Sequence, residues 1–203
     1  MPTWKHLQLV DARDVEGEAP PLESSAGERE GTASRPRDRG ASIRVEEAFR
    51  QYAPLVAAIG FRILGSRDET QDLVQDVFLK AHDWIGRIKD PGALRSWLIT
   101  VTVREARRRL RLRRMRSFLA LGDTFDYETV AGSNASPAER VLTAEVYRLL
   151  DRASIDARVA WTLRYVEGLT LPEIARHCGC SLATVKRRVA HVHEFILKGL
   201  DDA

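Results

Sequence analysis

A basic segment near the C-terminus, SLATVKRRVAHVHEF at 181–195, carries side chains of the types that contact nucleic acid. Apolar residues recur there at every third or fourth position, which predicts an amphipathic helix. The predicted buried side consists of Leu182, Val185, Val189, Val192 and Ile196. Short side chains near the start of such a helix let its backbone enter a DNA major groove, where Arg and Thr reach base edges and further basic residues reach phosphates. The residues for which we predict DNA contact are Ser181, Ala183, Thr184, Lys186, Arg187, Arg188 and His191. An ordinary amphipathic helix with a solvated basic face is the alternative.

The residues just before this segment predict a helix-turn-helix motif. Thr170 is a suitable helix cap, and Glu173 stands three positions later, as in a capping box. Gly179 permits the positive φ of a tight turn, and Ser181 is suited to cap the next helix. The basic segment is then the second, recognition helix of the motif.

The residue types that bind metals or perform catalysis are present but poorly spaced. Thiol and imidazole groups crowd the turn, yet their spacing matches no standard zinc site, and Cys178 and Cys180 suit the small positions beside a turn. We find no Gly-rich phosphate loop, nucleophile constellation or paired-carboxylate site in the sequence. We therefore expect no metal, no cofactor and no catalytic residue, and a protein that is not an enzyme.

Upstream, helical periodicity predicts a further group of three helices. The first starts at Val45 and stops at Gly65, and the second continues to a break at KDPG, residues 89–92. The third runs into a block of arginines that ends near Arg116. No alternating strand pattern of any length is present, so the fold class is all-α.

These patterns divide the chain into four parts. Residues 1–43 are rich in Gly, Ser, Pro and charge, which predicts a disordered tail, and residues 44–116 form the first helical domain. Residues 117–136 lose the helical period and predict an acidic flexible linker, after which residues 137–203 form the second domain. Its predicted helices span 137–152, 155–167, 170–178 and 181–198, with a serine cap and a proline at the first start.

Composition limits the cellular location. The chain has 203 residues, a formal net charge of +3 and two cysteines. No run approaches the length of an apolar membrane helix, and the N-terminus lacks the apolar core of a secretory signal, so we expect no membrane insertion. Cysteines one residue apart do not form a useful intrachain disulfide, which fits a reducing compartment. We therefore expect a cytoplasmic protein.

The chain resembles the sigma-70 family, specifically its extracytoplasmic-function group, in two separate runs. LRYVEGLTLPEIARHCGCSLATVKRRV is similar to the region 4 helix-turn-helix of that group, and SRDETQDLVQDVFLKA with the following LRSWL is similar to its region 2. The similarity covers about residues 44–116 and 137–199. It implies a three- to four-helix bundle for region 2 and a helix-turn-helix domain for region 4, joined by a flexible linker.

The resemblance implies a sigma factor that binds core RNA polymerase and directs it to promoters. Region 4 would read the -35 element as duplex, and region 2 would hold the melted -10 strand, which needs aromatic surfaces and positive charge. The residues that suit the -10 strand are Arg87, Lys89, Arg95, Trp97, Arg104 and Arg108. For Trp97 a core position is an equally good interpretation, because it shares the apolar side with Leu94 and Val101.

Two protein partners follow from the same resemblance. The residues that match the surface for core polymerase are Asp72, Gln75, Asp76 and Leu79. An inhibitory anti-sigma factor is also expected, because members of the group are commonly held by one. The alternative function is an autonomous helix-turn-helix regulator whose region 2 has been diverted to protein binding.

Overall fold

The computed structural model describes residues 37–85, 91–118, 127–132 and 134–202. Over these ranges the regular structure consists of seven α-helices and one 3-10 turn, and no extended strand is present in them. Within the same ranges, no helix combines the length and apolar character needed to cross a lipid bilayer.

The first domain contains three helices, α1 (Arg37–Leu64), α2 (Arg67–Ile85) and α3 (Pro91–Phe118). Their shared core includes Ile63, Leu73 and Leu98, all fully buried. Helix α1 ends before Gly65, whose φ of 71° is the left-handed value that the predicted stop requires.

The start of α1 differs from the predicted boundary. The helix already begins at Arg37, within the residues 1–43 that were predicted to be a disordered tail. A formed helix gains one backbone hydrogen bond for each residue added to its end, so it can extend into a stretch whose composition is typical of a disordered tail. The rest of that predicted tail, residues 1–36, lies outside the described residues.

The second domain contains α4 (Pro137–Arg152), α5 (Ile155–Tyr165), α6 (Leu171–Cys178) and α7 (Leu182–Asp201). Its predicted helices are confirmed to within a few residues. Ser136 caps α4, with Pro137 in the first turn, and Thr170 forms a capping box with Glu173 at the start of α6.

The helix-turn-helix geometry is confirmed as well. Gly179 has a φ of 65° between α6 and α7, and the Ser181 hydroxyl accepts a hydrogen bond from the Thr184 backbone N–H at 3.2 Å. One predicted core position is wrong, because Leu182 is 41% exposed. Leu182 is the first residue of α7 and lies at the end of the packed surface, where solvent still reaches its side chain. Val185, one turn later, is fully buried.

The two domains share one hydrophobic core. Val56 and Leu98 of the first domain belong to the same buried cluster as Val159, Ile174 and Val185 of the second. The helices that meet across this boundary are mainly α3 with α5 and α6, and α1 with α5. The structure therefore shows the domains docked against each other.

Part of the predicted linker is packed in this boundary. Tyr127–Val130 forms the 3-10 turn, which we call the linker turn, and Tyr127 and Val130 are both buried. Their side chains pack in a cluster with Tyr147 of α4 and Phe61 of α1. A stretch without helical period thus still holds apolar residues that bury surface between the domains. Residues 119–126 of the linker lie outside the described residues.

Candidate nucleic-acid interface

The outward side of α7 presents the side chains predicted for a recognition helix. Ala183, Lys186, Arg187 and His191 are exposed, and Thr184 is half-buried. The Thr184 hydroxyl lies 2.8 Å from that of Ser181, which fixes both at the N-terminal end of the helix. The arrangement gives short side chains first and basic side chains one turn later, as entry into a major groove requires.

Arg188 stands apart from the other basic residues of α7. Its Nη2 donates to Asp156 Oδ2 of α5 at 2.9 Å, and its Nη1 lies 3.6 Å from Cys180 Sγ. In this conformation the guanidinium is therefore held by the protein's own carboxylate rather than presented for a phosphate contact.

Two histidines of the motif, His177 and His193, have packing roles. His193 stacks on Tyr165 with ring centroids 4.8 Å apart, and burial lowers its pKa. His177 is buried, and its Nδ1 lies 2.9 Å from Thr100 Oγ1 of α3. Burial, with help from Arg176, lowers the pKa of His177, so that both rings are neutral at neutral pH.

The thiols beside the turn do not form a metal site with these rings. Cys178 is buried, and burial raises its pKa to about 11, which makes the thiol unreactive as a ligand or nucleophile at neutral pH. In the part of the chain that the structure describes, no group of three or more metal-ligating side chains comes together.

The residues suggested for the -10 strand fall into three groups. Arg87 and Lys89 lie outside the described residues. Arg95 and Arg104 are exposed on α3, where they are available to a nucleic-acid backbone. Arg108 donates to Glu105 at 2.8 Å and to Asp76 at 3.3 Å, so its charge is partly neutralised.

Trp97 is half-buried and has an aromatic neighbour that sequence reasoning missed. Its ring centroid lies 6.4 Å from that of Trp84, which is 48% exposed at the end of α2. The sequence pattern placed Trp84 among the apolar residues of its helix and gave no sign of this exposure. Two neighbouring indoles, one of them open to solvent, form a surface on which an unpaired base can stack.

The candidate polymerase surface on α2 is mostly open. Asp72 and Gln75 are exposed, and Leu79 is 69% exposed, which is unusual for a large aliphatic side chain. Asp76 differs, because its carboxylate accepts from Arg109 at 2.5 Å as well as from Arg108. Asp76 therefore fixes α3 to α2.

Sequence reasoning missed the polar contacts that hold the domains together. Arg158 of α5 is 2% exposed, and its Nε and Nη2 donate to the Ile63 carbonyl at 3.1 and 2.9 Å. Its Nη1 also bonds Asp151. Arg62 of α1 pairs with Glu167 at 3.0 Å. An arginine on an apolar helix face indicates that a polar partner is buried nearby, but it does not say which residue that partner is. The partners Ile63 and Glu167 lie about 100 residues away along the chain, so one sequence could not identify these pairs.

Comparisons with known proteins identify both halves of the molecule. The family model described as Sigma-70 region 2 matches residues 48–116, and the one described as Sigma-70, region 4 matches residues 143–192. The chain is 28% identical to the RNA polymerase sigma-H factor of Pseudomonas aeruginosa, over 74% of this chain and 82% of that protein. It is also 28% identical to the ECF RNA polymerase sigma-E factor of Escherichia coli, over 72% and 81% of the two chains.

The fold is similar to that of a solved sigma factor. The co-crystal structure of RpoE with the anti-sigma factor NepR from Bartonella quintana matches with a TM-score of 0.57 and 23% identity. The match covers 77% of this chain and 96% of that one.

Proposed function

The chain belongs to the sigma-70 family, in its extracytoplasmic-function group, and on that premise we propose which of its surfaces contact promoter DNA and core RNA polymerase. It is an initiation factor rather than an enzyme, and it directs core RNA polymerase to promoters. An autonomous regulator is not favoured, because region 2 and region 4 are both present in one chain. The division into a first domain at 44–116, a linker at 117–136 and a second domain at 137–203 is part of this proposal.

The second domain reads the -35 element through α7. The observation that carries this assignment is the exposed series Ala183, Lys186 and Arg187, which follows the Gly179 turn and the Ser181 cap. Thr184 and Arg187 contact base edges, while Lys186 and His191 lie beside the backbone. Arg188 joins the phosphate contacts when Asp156 releases it.

The first domain holds the -10 strand on the Trp84 and Trp97 rings, with Arg95 and Arg104 beside its phosphates. Stacking of an unpaired base on an aromatic ring is worth about 1–3 kcal/mol and tolerates sequence differences. Arg87 and Lys89 are assigned to the same strand from the sequence alone.

Core polymerase binds α2 through Asp72, Gln75 and Leu79. The polar side chains supply hydrogen bonds and Leu79 supplies apolar area at the centre of the contact. Asp76 contributes by holding α3 in place, which replaces the direct contact expected from the sequence. The protein works in the cytoplasm, where core polymerase is, and an anti-sigma factor is a further partner, as NepR is for the related RpoE.

The docked arrangement cannot engage both promoter elements at once. Thr100 contacts His177 of the helix-turn-helix at 2.9 Å and lies one helical turn from Trp97. The -35 and -10 elements, by contrast, are named for positions about 25 base pairs apart, which is roughly 85 Å of duplex at about 3.4 Å per base pair. The domains must therefore separate on the promoter, and the structure corresponds to the form without DNA.

Run-off transcription with purified core polymerase tests the assignments. Arg187→Ala should abolish promoter-specific transcripts and leave core binding intact, whereas Arg148→Ala, at an exposed arginine of α4, should leave both transcription and core binding unchanged. Leu79→Arg should abolish core binding, and Val141→Arg, at a residue 58% exposed on α4, is its control. Both targets are exposed, so folding is preserved. Wild-type protein that folds but neither binds core nor supports specific transcripts would refute the proposal.

A further inference from the structure

One carboxylate gathers arginines from both domains. Asp156, in the first turn of α5, bonds Arg107 of α3 through Oδ1 and Arg188 of α7 through Oδ2, the latter at 2.9 Å. Arg111 of α3 approaches the same carboxylate at 3.9 Å. The Asp156 side chain is 29% exposed, so this cluster lies at the edge of the domain boundary rather than inside it.

The arginines of this cluster lie on the same two helices as the residues assigned to DNA. Arg188 stands on the recognition helix beside the exposed Arg187, and Arg107 stands on α3 in the same basic stretch as the exposed Arg104. Guanidinium groups bind carboxylate and phosphate oxygens with the same fork geometry. A DNA phosphate and the Asp156 carboxylate are therefore alternative ligands for the same groups.

We propose that Asp156 is an autoinhibitory contact, an internal competitor that occupies Arg188 and Arg107 in place of a DNA phosphate. The contact weakens binding of the free, docked protein to DNA in general, because each phosphate contact must first displace a carboxylate. Separation of the domains takes Arg107 away from Asp156, so that basic charge is released on α3 when the protein opens. This inference rests on the proposed contact of α7 and α3 with DNA.

Binding of the full-length protein to a labelled duplex without promoter sequence tests the competition. We would measure affinity by fluorescence anisotropy between about 50 and 200 mM salt, where the slope of log affinity against log salt changes by about 0.9 for each phosphate contact. For Asp156→Asn we expect a slope steeper by about 1 to 2 and affinity about tenfold tighter at the low-salt end. Glu145→Gln is the matched control, because it removes one carboxylate that is 34% exposed, close to the 29% of Asp156, and whose partner, Arg148, lies on the same helix.

A double variant identifies the arginine that is released. In the Asp156→Asn background, Arg188→Gln should remove at least half of the added slope, whereas Arg188→Gln alone should leave the wild-type slope almost unchanged, because Asp156 already occupies that group. Asp156→Ser serves if the asparagine variant fails to fold, since serine is favoured at helix starts. Circular dichroism checks that each variant is folded.

Each result decides the inference separately from the proposed function. A steeper slope in Asp156→Asn but not in Glu145→Gln supports the competition. Equal slopes and affinities in these two variants would overturn it, even if the wild-type protein directs transcription normally with core polymerase. If the wild-type protein fails in transcription while Asp156→Asn still gains affinity, the proposed function fails and the masking of Arg188 stands.

Discussion

Replacing Arg158 by methionine should weaken the docking of the two domains. The guanidinium reaches from α5 to the last turn of α1, where it donates to the Ile63 carbonyl through two nitrogens and approaches the Leu64 carbonyl at 3.4 Å. Carbonyls in the last turn of a helix have no partner within it. Methionine has a similar stem and keeps the packing, so the change removes mainly these hydrogen bonds.

The cost can be worked out from the partners that remain. Leu64 keeps a second donor, because Arg113 Nη1 bonds its carbonyl at 2.9 Å, but Ile63 loses both donors from Arg158. A buried acceptor left without a partner costs about 1–3 kcal/mol. Asp151 loses a cation, yet its side chain is 41% exposed, so solvent reduces that contribution to less than about 1 kcal/mol. We expect Arg158→Met to destabilise the docked protein by about 2–3 kcal/mol.

Urea denaturation of the full-length protein, followed by circular dichroism, measures this cost. With a slope of about 2–3 kcal/mol per molar urea, the midpoint should fall by about 1 M. Arg148→Met is the matched control, because Arg148 is exposed on α4 and its ion pair in the described part of the chain is with Glu145 of the same helix, at 3.1 Å. That variant should shift stability by less than about 0.5 kcal/mol.

The comparison of the two arginine variants can refute the reasoning. If Arg158→Met has the same midpoint as Arg148→Met, the contacts with the α1 carbonyls contribute no net stability. The docked arrangement would then rest on the shared apolar core and on the other polar contacts between the domains, such as Arg62 with Glu167, rather than on Arg158.

Three further outcomes follow from particular residues. Gly65→Ala should lower the thermal midpoint more than Gly179→Ala, because both have positive φ but only at Gly65 would the new Cβ fall 2.5 Å from a Tyr127 ring carbon. His177→Gln should remove part of the loss of stability that the wild-type protein shows on acidification. Because folding lowers the pKa of His177, the neutral ring makes its full contribution to the free energy of unfolding above the unfolded pKa of about 6.5, and this contribution is lost as pH falls through the folded value. Urea midpoints of both proteins at several pH values measure the difference. With a thiol reagent at pH near 8, Cys178 should stay unmodified in the native protein, since its pKa is raised to about 11, and mass spectrometry of the digested product would detect any modification.

The sequence predicted local structure best where one residue type decides the backbone. Thr170, Ser181 and Gly179 determined the two ends of α6 and the start of α7, because caps and positive φ values depend on a few neighbouring atoms. Apolar periodicity likewise identified the helices. It was wrong for Leu182, which it predicted to be buried and which is exposed at the first position of α7. The start of α1 was placed too late, because composition reports burial rather than the ability of a helix to extend.

Contacts between distant parts of the chain were beyond the sequence. The sequence indicates no partner for Arg158 and Asp156, because their partners lie on other helices: the structure buries Arg158 against α1, and Asp156 binds arginines of α3 and α7. The exposed series of α7 could be predicted because it depends on one helix alone. Whether Arg188 or Asp76 is available to a partner depends on neighbours from other helices.

The linker turn determines how far the two domains can move apart. While Tyr127 is packed against Tyr147 of the second domain and Phe61 of the first, this cluster keeps the two domains together. Once the turn is released, the chain from Phe118 to Pro137 is the tether between the domains, and it spans at most about 65 Å when extended. Loss of one small aromatic cluster therefore changes region 4 from a fixed neighbour of region 2 into a tethered domain that can bind DNA at a distance from it.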